Sequence, residues 1–137
     1  MITRNSKKGH SGATLVEAAF VLPVLFLLLL GFMEMSQMGM TSQMVTNAAM
    51  QACRIAVVDG YSQTDVLHSI QQTMTAEGIA SGSYTVATMP TDVTTTHQGA
   101  AITVMISIPF RNIEWIPPIF LGAVTLKASA TLSSERP

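Results

Sequence analysis

An uncharged apolar run near the N-terminus constrains the fold of this chain more than any other feature. Residues Ala18 to Met33 read AAFVLPVLFLLLLGFM, sixteen positions without a charged side chain. If the run is extended back to Ala13 and Glu17 is accepted, it has 21 residues, or roughly 31 Å of helix at about 1.5 Å per residue. That length matches the hydrocarbon core of a bilayer. The sequence therefore predicts a transmembrane helix over residues 13–33.

The charges on either side of this run predict its orientation. Arg4, Lys7 and Lys8 precede it, in a segment of twelve residues without an acid. Because positively charged flanks stay in the cytoplasm, we expect the N-terminus there and the rest of the chain outside. Charged residues make up only 11% of the chain, against about a quarter in typical soluble proteins. No basic stripe follows the run, so nucleic acid is not an expected partner.

Two residues of the run are unusual for a helix in lipid. A carboxylate inside a membrane costs about 2.5–3.5 kcal/mol on insertion scales, so Glu17 is a candidate functional residue unless it lies solvated at the headgroup boundary. Pro23 removes one helical hydrogen bond, so we predict a kink there. An ordinary secretory signal peptide is an alternative interpretation, although no small-x-small cleavage site directly follows Leu30.

The stretch GATLVEAAFVLPVLFLLLLGFMEM has the prepilin form: a glycine, four small or apolar residues and a glutamate before an apolar run. It resembles the TadE-like family, which comprises pseudopilins or minor pilins of the tight-adherence (Tad/Flp) pilus system. The positions that fit the family pattern are Gly12, Ala13, Val16, Glu17, Val21, Leu22, Pro23, Gly31 and Glu34. Ala18 departs from it, because the family usually has an aromatic residue there. Asn47 to Ala56 resembles a second family stretch, and Ala128 to Glu135 resembles the closing strand.

The resemblance implies that a prepilin peptidase cuts after Gly12, removes the basic leader 1–12 and leaves Ala13 as the new N-terminal residue. Glu17 then lies about one helical turn from the new amine. An acid within a membrane needs a cationic partner, and in pilin assemblies that partner is expected to be the N-terminal amine of a neighbouring subunit. The expected partners are the peptidase, other pilin or pseudopilin subunits, Tad inner-membrane assembly proteins and membrane lipid. The expected location is the inner membrane, as a single-pass protein whose head lies outside the cytoplasm or is carried in an extracellular pilus.

The helix is expected to continue past the membrane as an extension over residues 34–60. Met33 to Val58 contains no proline, and Asp59-Gly60 is a typical helix stop. Met35 and Met38 are candidate contacts between subunits, or else flexible fillers of the core.

Two other residues of the extension allow simple interpretations. Glu34 marks the outer end of the span and is interpreted as a charge at the membrane interface. Cys53 is the single cysteine of the chain. It is either a small buried hydrophobic residue or one half of an intermolecular disulfide.

Residues 61–137 are predicted to form a small α+β head. A helix begins near Ser62 or Thr64 and ends near Gly78. Three antiparallel strands then follow from alternating apolar residues, at Tyr84–Thr88, Ala101–Ile108 and Val124–Leu132. The complete prediction is a pilin-like α+β fold with a long N-terminal membrane-spanning helix, a second short helix and a three-stranded antiparallel sheet.

The head also contains an apolar loop, and the sequence shows no catalytic motif. The loop Ile113 to Gly122 contains Trp115 and is either a contact surface for another subunit or membrane, or a plug for the core. No catalytic, cofactor-binding or metal-binding pattern is present in the sequence, so we expect neither an enzyme nor a cofactor. The expected function is that of a TadE-like pseudopilin or minor pilin in a Tad/Flp-type pilus for adherence or secretion. The alternatives are a permanent inner-membrane assembly factor and a secreted binding module.

Overall fold

The protein consists of a long helix, a short helix and a three-stranded sheet. The structure is a computed structural model that describes residues 11–113 and 118–135. Its elements are α1 (Ser11–Val57), α2 (Gln63–Ala76), β1 (Thr85–Met89), β2 (Ala101–Pro109) and β3 (Thr125–Ser133), with 3₁₀ turns at Val93–Thr95 and Phe110–Asn112. The predicted α+β class and the order of its elements are confirmed. Arg4, Lys7, Lys8 and Trp115 lie outside the described residues.

Helix α1 is a single element of 47 residues, or about 70 Å at about 1.5 Å per residue. It continues through Pro23, so the proline does not end the helix, and the kink predicted there stays a prediction. The helix ends before Gly60, whose φ of 89° is a conformation that favours glycine. The span and its extension are therefore one continuous helix.

Helix α2 begins with a reciprocal capping box. The hydroxyl of Ser62 accepts a hydrogen bond from the backbone N–H of Asp65, at 3.4 Å. The Asp65 carboxylate in turn accepts from the backbone N–H of Ser62 at 2.8 Å and from its hydroxyl at 2.7 Å. These bonds satisfy donors that the first turn of a helix leaves unpaired. The predicted start near Ser62 is confirmed.

The sheet is antiparallel throughout, in the order β1-β2-β3. The alternation predicted for the central strand is confirmed: its four aliphatic residues Ile102, Val104, Ile106 and Ile108 are completely buried. On β3 the predicted inward residues 126, 128 and 130 pack against the core. Leu132 was also predicted to face inward, but it is 41% exposed. It lies near the end of an edge strand, where Met50 and Arg54 line a groove beside it.

The core lies between the second half of α1, α2 and the sheet. Helix α1 contributes mainly small residues to it: Val45, Ala48, Ala49, Ala52, Cys53 and Ala56. Because these side chains are short, the helix lies close to the strands. The Cys53 thiol is 3.4 Å from the carbonyl oxygen of Ile102 and 3.5 Å from that of Ala130. This packing fixes the head on α1 and leaves the first part of the helix outside the core.

Candidate functional site

The N-terminal part of α1 has no cover from the rest of the described protein. Every side chain from Gly12 to Leu29 is exposed, although most of them are apolar. The helix is long and apolar enough to cross a membrane. A helix that is hydrophobic on all sides requires an apolar environment around it. This part of the chain is therefore the candidate site for membrane insertion.

The residues of the predicted cleavage and assembly site all lie on this exposed stretch. Gly12, Ala13 and Glu17 are in the first two turns of α1 and are exposed. A Cβ atom built on Gly12 would meet no other atom within 4 Å, so the described protein leaves the space beside this glycine open. The structure thus brings the three residues together at an accessible helix end.

Glu17 has no cationic neighbour along its own helix. Between Ser11 and Arg54 the sequence has no lysine, arginine or histidine. Arg54 lies 37 positions beyond Glu17, about 55 Å away at about 1.5 Å per residue. Any cation that pairs with Glu17 in a membrane must therefore come from the N-terminal end of the chain or from another molecule.

The second charged residue of the family pattern, Glu34, is held by the loop before β3. Its carboxylate accepts hydrogen bonds from three successive backbone N–H groups: that of Ile119, that of Phe120 at 3.0 and 3.2 Å to the two oxygens, and that of Leu121 at 3.0 Å. Only 3% of the residue's surface is exposed. We call this contact between Glu34 and the N–H groups of residues 119–121 the loop latch.

The electrostatics of the loop latch favour an ionised carboxylate. Burial alone would raise the pKa of Glu34, but the three backbone donors outweigh it and hold the pKa below its ordinary value. A carboxylate accepts such bonds strongly when it is charged. Glu34 is therefore a charged group whose hydrogen-bonding needs are met within the chain.

The structure gives Glu34 partners that the sequence did not predict. A simple charge at the membrane interface was predicted, and the structure adds that the side chain is covered and that its carboxylate binds backbone 85 to 87 residues further on. No local pattern reveals a contact at such a separation. The sequence contained one indication of this contact: neither Glu34 nor the apolar loop Ile113 to Gly122 had an obvious partner.

Cys53 lies where helix α1 packs on the sheet. Its side chain is completely buried and its thiol is free. Burial is the largest influence on this group and raises the pKa of the thiol, against the opposing effect of backbone hydrogen bonds. Of the two interpretations of Cys53, the structure supports a small buried hydrophobic side chain. An intermolecular disulfide would require the head to open.

The methionines proposed as subunit contacts differ in their exposure. Met35 is exposed, whereas Met38 is half-buried. Both lie just beyond the apolar span, so Met35 in particular is available to another molecule. Trp115, the third proposed contact, lies outside the described residues.

The described part of the chain contains no cluster of metal-ligating side chains. Within residues 11–113 and 118–135, no group of three or more His, Cys, Asp or Glu side chains could hold a metal ion. His68 and His97 are both exposed. A cavity of about 300 Å³ lies between α1 and the segment after α2, where Met40, Met44 and Ile79 line it. Glu77 is the one acid among its described lining residues.

The comparisons with known proteins support the resemblance at the N-terminal helix. Residues 12–54 match the family model described as TadE-like protein. The matched segment begins at Gly12, covers the span and Glu34, and includes most of the small-residue face of α1 that packs on the sheet. No curated protein and no solved structure matches the chain.

Proposed function

We propose that this chain is a pseudopilin or minor pilin of a Tad/Flp-type pilus, because its residues 12–54 match the family model described as TadE-like protein. In this proposal a prepilin peptidase cuts the chain after Gly12. The mature protein stands in the inner membrane with its head outside the cytoplasm and then joins other subunits. Its activity is structural: it contributes a helix and a head to an assembly for adherence or secretion.

The observation that carries this proposal is the charge arrangement of α1. Glu17 is exposed on an apolar helix, and the same helix offers no cation before Arg54. Cleavage after Gly12 would create an amine at Ala13, about one helical turn from Glu17. In lipid, the acid and the amine are each unfavourable alone and are stabilised when paired. The pairing of Glu17 with the amine of a neighbouring subunit would also fix the register between two helices.

The shape of the molecule supports assembly through α1. The helix extends well beyond the head as a rod that its own chain leaves uncovered over residues 12–29. In a membrane this surface is covered by lipid, and in a filament it would be covered by the same helix of other subunits. The head stays intact during that exchange because its core involves only the second half of α1.

The proposal is tested by replacing Glu17 in cells that assemble the pilus. We expect Glu17→Ala and Glu17→Gln to be processed at Gly12 but to enter the pilus poorly, because both variants lack the charge that pairs with the amine. Asp59→Asn is a suitable control, since Asp59 is an exposed acid just after the head-side end of the same helix. Normal amounts of Glu17→Ala protein in sheared pili would contradict the pairing role.

The same fractionation separates the proposal from a permanent assembly factor. A minor pilin is recovered in the sheared pilus fraction, whereas an assembly factor stays with the inner membrane. Recovery of the wild-type chain only from membranes, under conditions in which the major pilin is sheared off, would favour the assembly factor.

A further inference from the structure

The loop latch exposes two large apolar side chains next to the span. Ile119 and Phe120 are 59% and 58% exposed, although their backbone N–H groups are bound to Glu34. Large apolar side chains on the surface of a small head are unfavourable in water. Their exposure at a fixed place in the fold points to an apolar environment there.

Phe120 reaches down to the level of the membrane span. A Cβ atom built on Gly31 would lie 3.9 Å from Cε2 of Phe120, which is ordinary van der Waals contact. Gly31 is 18 positions after Ala13, about 27 Å along the helix, in a hydrocarbon core about 30 Å thick. With Ala13 at the inner face of the core, the ring of Phe120 is level with its outer edge.

The apolar surface is continuous between the loop and the helix. A shallow groove of about 250 Å³ separates them, and Leu28, Phe32 and Met35 line it on the helix side. Phe120 and Leu121 line it on the loop side. Glu34 also lines the groove, but its carboxylate is bound to the loop N–H groups. The same surface therefore begins on the span and extends onto the head, with the bound Glu34 as the charged residue among its described lining.

The hydrogen bonds of the loop latch also suit contact with lipid. Backbone N–H groups near hydrocarbon need acceptors within the protein, because lipid tails provide none. Glu34 provides acceptors for three successive N–H groups and is itself covered by them. The latch thus satisfies these three N–H groups and covers the Glu34 carboxylate at this level of the helix.

We propose that Ile119 and Phe120 insert into the outer face of the same membrane that α1 spans, so that the loop latch is a second membrane contact of the head. The partner is a lipid surface at the boundary between headgroups and acyl chains. The inference rests on the membrane insertion of α1 in the proposed function. Its consequence is that the molecule contacts the membrane at two points, through α1 and through the loop, which restricts how far α1 can tilt.

The test uses single tryptophan residues in the full chain, reconstituted in nanodiscs that each hold one copy. Trp115 is the only tryptophan of the chain and is first replaced by phenylalanine. A tryptophan is then introduced as Phe120→Trp, as Phe26→Trp within the span, or as Val58→Trp at the far end of α1. Position 58 is exposed, directly follows the end of α1 and lies about 37 Å beyond Met33 at about 1.5 Å per residue. Quenching is measured with lipids brominated at shallow or deep acyl positions.

We expect Phe120→Trp to be quenched most by shallow bromines, Phe26→Trp by deeper ones, and Val58→Trp by neither. Quenching at position 26 without quenching at position 120 overturns the second contact and leaves α1 inserted. Absence of quenching at position 26 shows that α1 itself is not in the membrane, and both proposals fail.

The role of the latch is tested in the same assay with Glu34→Ala added to Phe120→Trp. We expect loss of the shallow quenching at position 120, because the loop is no longer fixed beside α1. Glu77→Ala removes an exposed acid elsewhere on the head and should leave the quenching unchanged. Unchanged quenching in the Glu34→Ala variant would show that the loop reaches the membrane without the latch and would overturn the positioning role of Glu34.

Discussion

The face of α1 that packs on the sheet should not tolerate a large side chain at Ala49. This residue is completely buried and lies one helical turn before Cys53, whose thiol is 3.4 Å from a carbonyl oxygen of β2. Ala49→Leu adds three carbon atoms on the same face. The backbone of the central strand cannot move aside without disturbing its pairing with both neighbours, so the helix and the sheet must separate or the side chain must adopt a strained conformation.

The magnitude follows from measured effects of overpacking. Extra methylene groups in a well-packed core typically cost about 1–3 kcal/mol. For a domain of 60–100 residues, each kcal/mol lowers the unfolding temperature by about 4–8 °C. We therefore expect the head of the Ala49→Leu variant to open roughly 4–24 °C below the wild type, a large effect for a domain whose total stability is about 5–15 kcal/mol.

Cys53 supplies the assay for this opening. The buried thiol should react with a maleimide only after the head opens, and burial also raises its pKa. The full chain in detergent is heated in steps, and the temperature of half-labelling is recorded. Met50→Leu is the matched control, because Met50 is adjacent and 52% exposed; it should keep the wild-type temperature. An Ala49→Leu variant that also keeps it would refute the close packing of α1 on the sheet.

Substitutions at three further positions test other contacts of the fold. Ser62→Ala removes the hydroxyl that caps α2 and should lower the free energy of unfolding by about 0.5–2 kcal/mol; an unchanged melting curve would argue against the cap. The hydroxyl and the backbone N–H of Ser62 hold the pKa of Asp65 below its ordinary value. The contribution of Asp65 to folding stability is therefore complete above the unfolded-state pKa of about 4, and it is lost as the pH falls through the lower folded-state pKa. The stability difference between the wild type and Asp65→Asn should accordingly shrink below about pH 4, and a difference that stays constant down to low pH would count against this linkage. Gly31→Ala should leave the loop in place, because the new methyl group would meet Phe120 at 3.9 Å. Gly31→Leu, in contrast, should displace the side chain at position 120. Equal quenching of Phe120→Trp in both variants would be evidence against the contact between position 120 and Gly31.

Local patterns were sufficient to predict most of the fold. The buried face of β2 was visible because Ile102, Val104, Ile106 and Ile108 alternate with more polar residues, and only one face of a strand can point to the core. The start of α2 was visible because Ser62 is a residue that caps helices. The end of α1 was visible at Asp59-Gly60. In each case the determining interaction lies within a few positions along the chain.

The features that the sequence did not reveal depend on distant contacts. The loop latch joins Glu34 to residues 85 to 87 positions away, and neither partner has a local pattern that requires the other. Val93 is completely buried within an otherwise polar, threonine-rich loop, although such a composition favours exposure. Leu132 keeps the correct alternation on β3 but borders an open groove between this edge strand and α1, which Met50 and Arg54 line. Its exposure depends on where the helix crosses the sheet, which periodicity does not determine.

Some residues of the candidate site were likewise predictable from the sequence, and others were not. Gly12, Ala13 and Glu17 were identified from their spacing and from the family resemblance, and the structure places them together on an exposed helix end. Their chemistry requires a peptidase and a second subunit, neither of which a single chain contains. The position of Glu34 and of the loop required the folded structure, and it links the span to the head in a way that the spacing of residues did not suggest.

The most direct test of the account is the mass of the mature chain, purified from cells that contain a prepilin peptidase. We predict a chain that begins at Ala13 and lacks the three basic residues of the leader. This chain has four Lys or Arg residues and eight Asp or Glu residues. A Gly12→Leu variant should keep its leader, because the peptidase needs close access to the backbone at this position. A wild-type chain that begins beyond about residue 30, as after cleavage of an ordinary signal peptide, or one that keeps residues 1–12, would contradict the account.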